Sequence, residues 1–126
     1  MLGTLISIAG GGALGALARH LTGLGVLRLL GPTTFPLGII TVNVIGSFLI
    51  GFFVVLAAQR GLTHLSPFFV VGFLGAFTTF SAFSLEAVLL YQRGDIVASI
   101  IYVTASVVLS ILGLLAGLGL ARVLLS

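Results

Sequence analysis

The sequence predicts an all-α membrane protein of four transmembrane helices, the third broken near its middle, in a single domain spanning residues 1–126. Three observations predict it. Hydrophobic residues make up 60% of the chain and charged residues 6%, with a mean hydropathy of +1.41, whereas a soluble domain carries about 25% charged residues. The apolar residues form four stretches, at approximately 2–25, 35–58, 66–91 and 96–122, each long enough for the roughly 20 residues that cross a bilayer as a helix. Short segments containing glycine, proline and arginine separate them, as turns require.

Composition also excludes several kinds of chemistry. The chain has no cysteine, so disulfides, thiolate metal sites and thiol nucleophiles are unavailable. Its net charge of +3 comes from Arg19, Arg28, Arg60, Arg93 and Arg122 against Glu86 and Asp95. These arginines are scattered singly, so there is no basic stripe for nucleic acid. No histidine–carboxylate cluster, phosphate loop or nucleophile elbow is present, which argues against an enzyme.

In the first span, Ala16-Leu17-Ala18 resembles a signal cleavage site. The region before it has no basic side chain and is crowded with glycine, unlike a signal peptide. It is therefore read as a membrane helix, with Arg19 snorkelling or facing a polar space. Gly11 and Gly15 are four apart, a spacing that lets helices approach closely. Gly31-Pro32-Thr33-Thr34 forms a turn, and Pro36 suits the first turn of the second helix. In that helix Asn43, Ser47 and Gly51 share one face. A lipid-buried amide needs partners, so Asn43 is expected to face the protein interior, either joining helices or lining a pore.

The third span contains Gly72-Phe73-Leu74-Gly75-Ala76-Phe77-Thr78-Thr79-Phe80-Ser81-Ala82-Phe83-Ser84. Its glycines, threonines and serines are poor helix-interior residues. A break here frees carbonyl oxygens at membrane depth, which is tolerated only where protein buries them or they line a cavity. Discontinuous spans also bind ions near the midplane. This stretch is therefore the expected functional centre. Phe73, Phe77, Phe80 and Phe83 follow helical spacing, which by itself describes ordinary core packing. Phe80 and Phe83 could also present electropositive ring edges to a small anion, and the freed oxygens could hold a hard cation. In the fourth span Tyr102, Ser106 and Ser110 recur every four residues as a polar stripe, continued by Gly113 and Gly117.

Orientation in the membrane follows arginine and lysine asymmetry. One side would carry Arg60 and Arg122, the other Arg28, Arg93 and Arg19. So weak a bias permits insertion both ways, and an antiparallel homodimer is compatible with it. Eighteen glycines and the small size of one copy also point to an oligomer.

Three segments resemble the Fluc or CrcB-type fluoride channels: Gly11-Gly12-Ala13-Leu14-Gly15-Ala16-Leu17-Ala18-Arg19, Gly38-Ile39-Ile40-Thr41-Val42-Asn43-Val44-Ile45-Gly46, and the stretch from Gly72 to Ser84. The resemblance implies an antiparallel, dual-topology homodimer with two fluoride pores and a structural sodium ion at its centre. By similarity, the backbone carbonyls of Gly75 and Thr78 from both subunits would hold sodium. Phe80 and Phe83 would contact fluoride through their ring edges, with Asn43 close by. Ser81 and Ser110 would belong to a polar track, with Tyr102 and Ser106 as neighbours. Arg19 would stand near a vestibule, and Glu86 would follow the broken helix. Ala82 departs from a threonine common in the family, which leaves the track one donor short. Ala76 and His20 depart from a glycine and an aromatic residue.

The function so implied is passive, selective export of cytoplasmic fluoride through the plasma membrane of a microbial cell, by a multi-pass protein. Two alternatives remain at this point. A proton-coupled exporter of organic cations would need a carboxylate within the membrane, and Glu86 lies towards a helix end. A non-transporting assembly subunit would leave the polar residues of the broken span without a role.

Overall fold

The computed structural model describes all 126 residues, Met1–Ser126. Helix α1 runs over Leu2–Leu30 and α2 over Leu37–Arg60. The third apolar segment, Thr63–Gln92, is composite. It opens with a 3-10 turn at Thr63–Leu65, continues as a π-helix over Pro67–Leu74 and closes with a single α turn, α3, at Gly75–Phe77. After a break it resumes as α4, Ser81–Gln92, and α5 spans Ile96–Leu125. The 24 residues of α2 extend about 36 Å at helical rise, beyond the roughly 30 Å hydrocarbon core. The protein is thus all-helical, with four segments long and apolar enough to cross a membrane.

The helices outlast the expected spans by a few residues, because α1 continues through Arg28 to Leu30 and α5 to Leu125. Their ends are set by turn chemistry. Gly31, Gly61 and Gly94 have φ of 74°, 66° and 89°, a left-handed region that side chains disfavour. At Gly61 the chain leaves α2 with the amides of Gly61 and Leu62 both donating to the carbonyl of Ala57, which closes the helix end.

Two close packings organise the bundle. Helix α1 lies on the π-helix, and α2 lies on α5. In the first, Gly11 and Gly15 are buried, and a Cβ at Gly15 would collide with the backbone carbonyl of Phe73. In the second, a Cβ at Gly51 would strike the carbonyl of Leu114, and one at Gly117 the carbonyl of Phe48. The glycine spacings seen in the sequence therefore mark backbone-to-backbone approach, the usual way apolar helices attract one another where lipid removes the hydrophobic drive. A further tie joins α4 to α5, where the Ser99 hydroxyl donates to the Ala87 carbonyl at 2.8 Å. Most large apolar side chains outside these seams are exposed, as lipid-facing residues should be.

Candidate functional site

The expected break falls at Thr78–Phe80. Thr78 turns extended, with φ −84° and ψ 158°, and ends α3. Its amide and its hydroxyl both donate to the carbonyl of Leu74, at 3.0 and 2.8 Å. Across the bundle, Asn43 of α2 meets the next residue through a reciprocal pair of bonds. The Thr79 amide donates to Asn43 Oδ1 at 2.8 Å, and Asn43 Nδ2 donates to the Thr79 carbonyl at 3.0 Å. Thr79 Oγ1 then accepts from the Ala82 amide at 3.2 Å, capping the first turn of α4 in the manner of an N-cap.

These substitutes displace two ordinary helix bonds. In an unbroken helix the Thr79 amide would donate to the Gly75 carbonyl and the Ala82 amide to the Thr78 carbonyl. Here the first amide goes to Asn43 and the second to Thr79 Oγ1. The carbonyls of Gly75 and Thr78 are thereby left without their helical donors, and Gly75 lies exposed on the surface of the chain.

Beside the break is a cavity of about 310 Å³ between α2, α4 and α5. Its polar lining is Asn43, Ser47, Thr78, Thr79, Ser106 and Ser110, and its aromatic lining is Phe80 and Phe83. The two rings pack at 5.5 Å between centroids and 61° between planes. Behind them, Tyr102 packs against Phe83 at 5.3 Å and against Phe35 at 5.7 Å. Tyr102 is fully buried and Ser106 is 4% exposed. Neither the Tyr102 hydroxyl nor Ser106 Oγ has a hydrogen-bond partner within the chain. A hydroxyl in a membrane helix usually bonds back to its own backbone, as Thr22, Thr41 and Ser84 do here. These two buried hydroxyls lack a protein partner, and Ser106, on the cavity wall, is free to bond whatever occupies the cavity, water included.

The four phenylalanines at helical spacing part company at the break. Phe73 and Phe77 stack at 6.1 Å; Phe77 is buried at 5% exposure, while Phe73 is half-buried beside a separate apolar pocket. Phe80 and Phe83 line the cavity, and Phe80 is 72% exposed in the single chain. The structure thus brings Asn43, Phe80, Phe83, Ser106 and Ser110 together, with Tyr102 packed behind. Ser81 is exposed, and Arg19 and Glu86 are half-buried; none of the three lines the cavity. Two cavity residues go beyond the expected site: Ser47, which the sequence places on the Asn43 face without a role, and Thr79. Ser47 follows from its position four residues after Asn43 on one helix face. Thr79 as the partner of Asn43 had no local signal, since the two are 36 residues apart.

The four-helix arrangement and its cavity can be set beside known proteins. The model of the family described as CrcB-like protein, Camphor Resistance (CrcB), matches residues 6–118. A protein of Roseobacter denitrificans called fluoride-specific ion channel FluC is 60% identical over 120 residues, covering 94% of this chain and 95% of its own length. A Ruegeria protein of the same description is 57% identical over 122 residues, covering 97% of each. One from Rhizobium leguminosarum is 50% identical over 119 residues, covering 93% of this chain and 94% of its own.

Proposed function

The chain belongs to the CrcB-like family, and on that premise we propose that it is a passive fluoride channel which exports cytoplasmic fluoride through the plasma membrane of a microbial cell. The observation that carries this reading is the cavity where Phe80, Phe83 and Asn43 meet the polar stripe of α5. Fluoride holds its water tightly, so a pathway must offer replacements of comparable strength. The unpaired hydroxyl of Ser106, on the cavity wall, can donate to an anion, with Tyr102 packed behind it, and hydrogen bonds to a charged partner contribute about 1.5–3 kcal/mol each. Ring edges at Phe80 and Phe83 add electropositive C–H groups without adding charge that would trap the ion. Ser110 continues the donor series along α5. Arg19, Ser81 and Glu86 are assigned to the approaches, outside this cavity.

No carboxylate lines the cavity, so proton-coupled export of an organic cation finds no alternating binder for cation and proton. Nor is the chain an enzyme: the curated relatives are ion channels.

The pathway is completed by a second copy in antiparallel orientation. Phe80 and Gly75 are exposed in one chain although both belong to the broken span, and the near-balance of arginines between the two sides permits both insertions. A structural sodium ion fits the same place. Its donors would be the Gly75 and Thr78 carbonyls, the two that the break deprives of helical amides. Hard cations take neutral oxygen ligands of this kind, and two from each copy would make a set of four. When bound, the ion would supply positive charge at the midplane and hold the two broken helices together.

Growth provides a direct test of export. A bacterium lacking its own fluoride exporter should grow in fluoride-containing medium when it expresses this chain. Growth no better than that of the empty host, with the protein present in the membrane, would contradict fluoride export.

A further inference from the structure

We infer that Asn43 is a positioning residue for the cation site as well as a wall of the anion path, because its side-chain oxygen takes the one amide that would otherwise occupy the Gly75 carbonyl. The inference rests on the sodium reading above and extends it to a residue that touches neither candidate sodium ligand.

The geometry runs through a single amide hydrogen. The Thr79 N–H can serve Gly75 four residues earlier, as in any α-helix, or it can serve Asn43 Oδ1. It serves Asn43, at 2.8 Å. The return bond from Asn43 Nδ2 to the Thr79 carbonyl, at 3.0 Å, fixes the orientation of the amide group, so Oδ1 faces the backbone N–H and cannot exchange places with Nδ2. Thr78, extended at ψ 158°, is the residue whose conformation keeps the Thr79 amide out of the helix. Without an acceptor at position 43, a return of Thr78 to helical ψ would let that amide donate to the Gly75 carbonyl, the bond of an unbroken helix.

Asn43 therefore joins two functions through opposite sides of one side chain. Oδ1 holds the break open towards the dimer centre. Nδ2 has two hydrogens, and only one is used by Thr79, which leaves the other for the cavity that Asn43 lines. An occupied cation site and a formed anion path thus depend on the same residue, and loss of its acceptor is expected to weaken both.

The test reads sodium rather than fluoride. Thermal unfolding of the purified full-length protein is followed over a sodium titration, with potassium holding ionic strength constant. The unsubstituted protein is compared with Asn43→Leu and Asn43→Asp. Leucine removes the acceptor. A helix bond then competes at both Gly75 carbonyls of the dimer, and the sodium midpoint is expected to rise about tenfold. Aspartate keeps the acceptor and loses the donor, so its midpoint is expected to stay at or below that of the unsubstituted protein while its fluoride flux falls. Should Asn43→Leu fail to fold, Asn43→Ser carries the same prediction, because its hydroxyl stops short of the Thr79 amide. An unchanged midpoint in the leucine or serine variant overturns the role of Asn43 while leaving the sodium reading intact. A rise in the aspartate variant equal to that in leucine overturns it too. Unfolding indifferent to sodium in the unsubstituted protein overturns the sodium reading and this inference with it.

Discussion

Replacing Phe80 with isoleucine is expected to lower fluoride flux by about 10- to 100-fold while leaving the protein folded. The ring is 72% exposed in the single chain, so its loss leaves little cavity in the protomer, and where the second copy covers it a hydrophobic replacement is expected to cost within about 1.5 kcal/mol. What disappears is the electropositive edge that the proposed path draws on beside Phe83, 5.5 Å away between ring centroids. If that edge replaces one water of hydration at a contact of about 1.5–3 kcal/mol, as for hydrogen bonds to charged groups, the rate follows at roughly tenfold per 1.4 kcal/mol. Isoleucine keeps much of the apolar volume and has no such edge. Flux from liposomes and the elution volume of the detergent-solubilised protein check the two halves of the prediction. Normal flux would remove Phe80 from the pathway.

Gly15→Ala should act in the opposite way, sparing the chemistry of the site and destroying its scaffold. A Cβ at this position meets the carbonyl, carbonyl carbon and Cα of Phe73, all backbone atoms that cannot swing aside as a side-chain tip could. Overpacking of a close contact costs about 1–3 kcal/mol, and here the upper end is expected, because α1 and the π-helix must separate along their whole seam. Gly119→Ala in α5 is the matching control, since nothing lies within 4 Å of its Cβ. Alanine there should be neutral or stabilising by up to ~1 kcal/mol through helix propensity. Yield of folded protein and thermal unfolding in detergent distinguish the pair; equal behaviour of the two variants would contradict the packing described for α1.

Much of this scaffold is legible in the sequence because membranes restrict what a chain can do. Uninterrupted apolar runs identify the four spans, and glycine pairs at Gly11/Gly15 and Gly113/Gly117 identify the seams, since small residues let helix backbones approach closely. The break was legible for a similar reason: Gly75, Thr78, Thr79 and Ser81 are costly inside a helix. The alignment of Tyr102, Ser106 and Ser110 could also be read, because helical periodicity is local.

What escaped the sequence is what depends on partners distant in the chain. The segment Pro67–Leu74 reads as an ordinary apolar helix, yet it winds as a π-helix where its backbone meets α1 at Gly11 and Gly15. The division of the phenylalanine row into a stacked pair, Phe73 and Phe77, and a cavity pair, Phe80 and Phe83, follows from the change of direction at Thr78. Periodicity assumes a continuous helix and cannot register that change. The sequence leaves Asn43 open between joining helices and lining a pore; in the structure it joins α2 to the broken span and also lines the cavity. Such double use is visible only once the backbone of Thr79 is in place.

Anion release from liposomes loaded with fluoride and chloride, followed in parallel with ion-selective electrodes, tests the central claim most directly. Purified protein should empty fluoride rapidly and leave chloride inside, with no requirement for a proton gradient or nucleotide. Retention of fluoride by liposomes containing folded protein, or equal release of both anions, would contradict a selective fluoride path at the Phe80–Phe83 cavity.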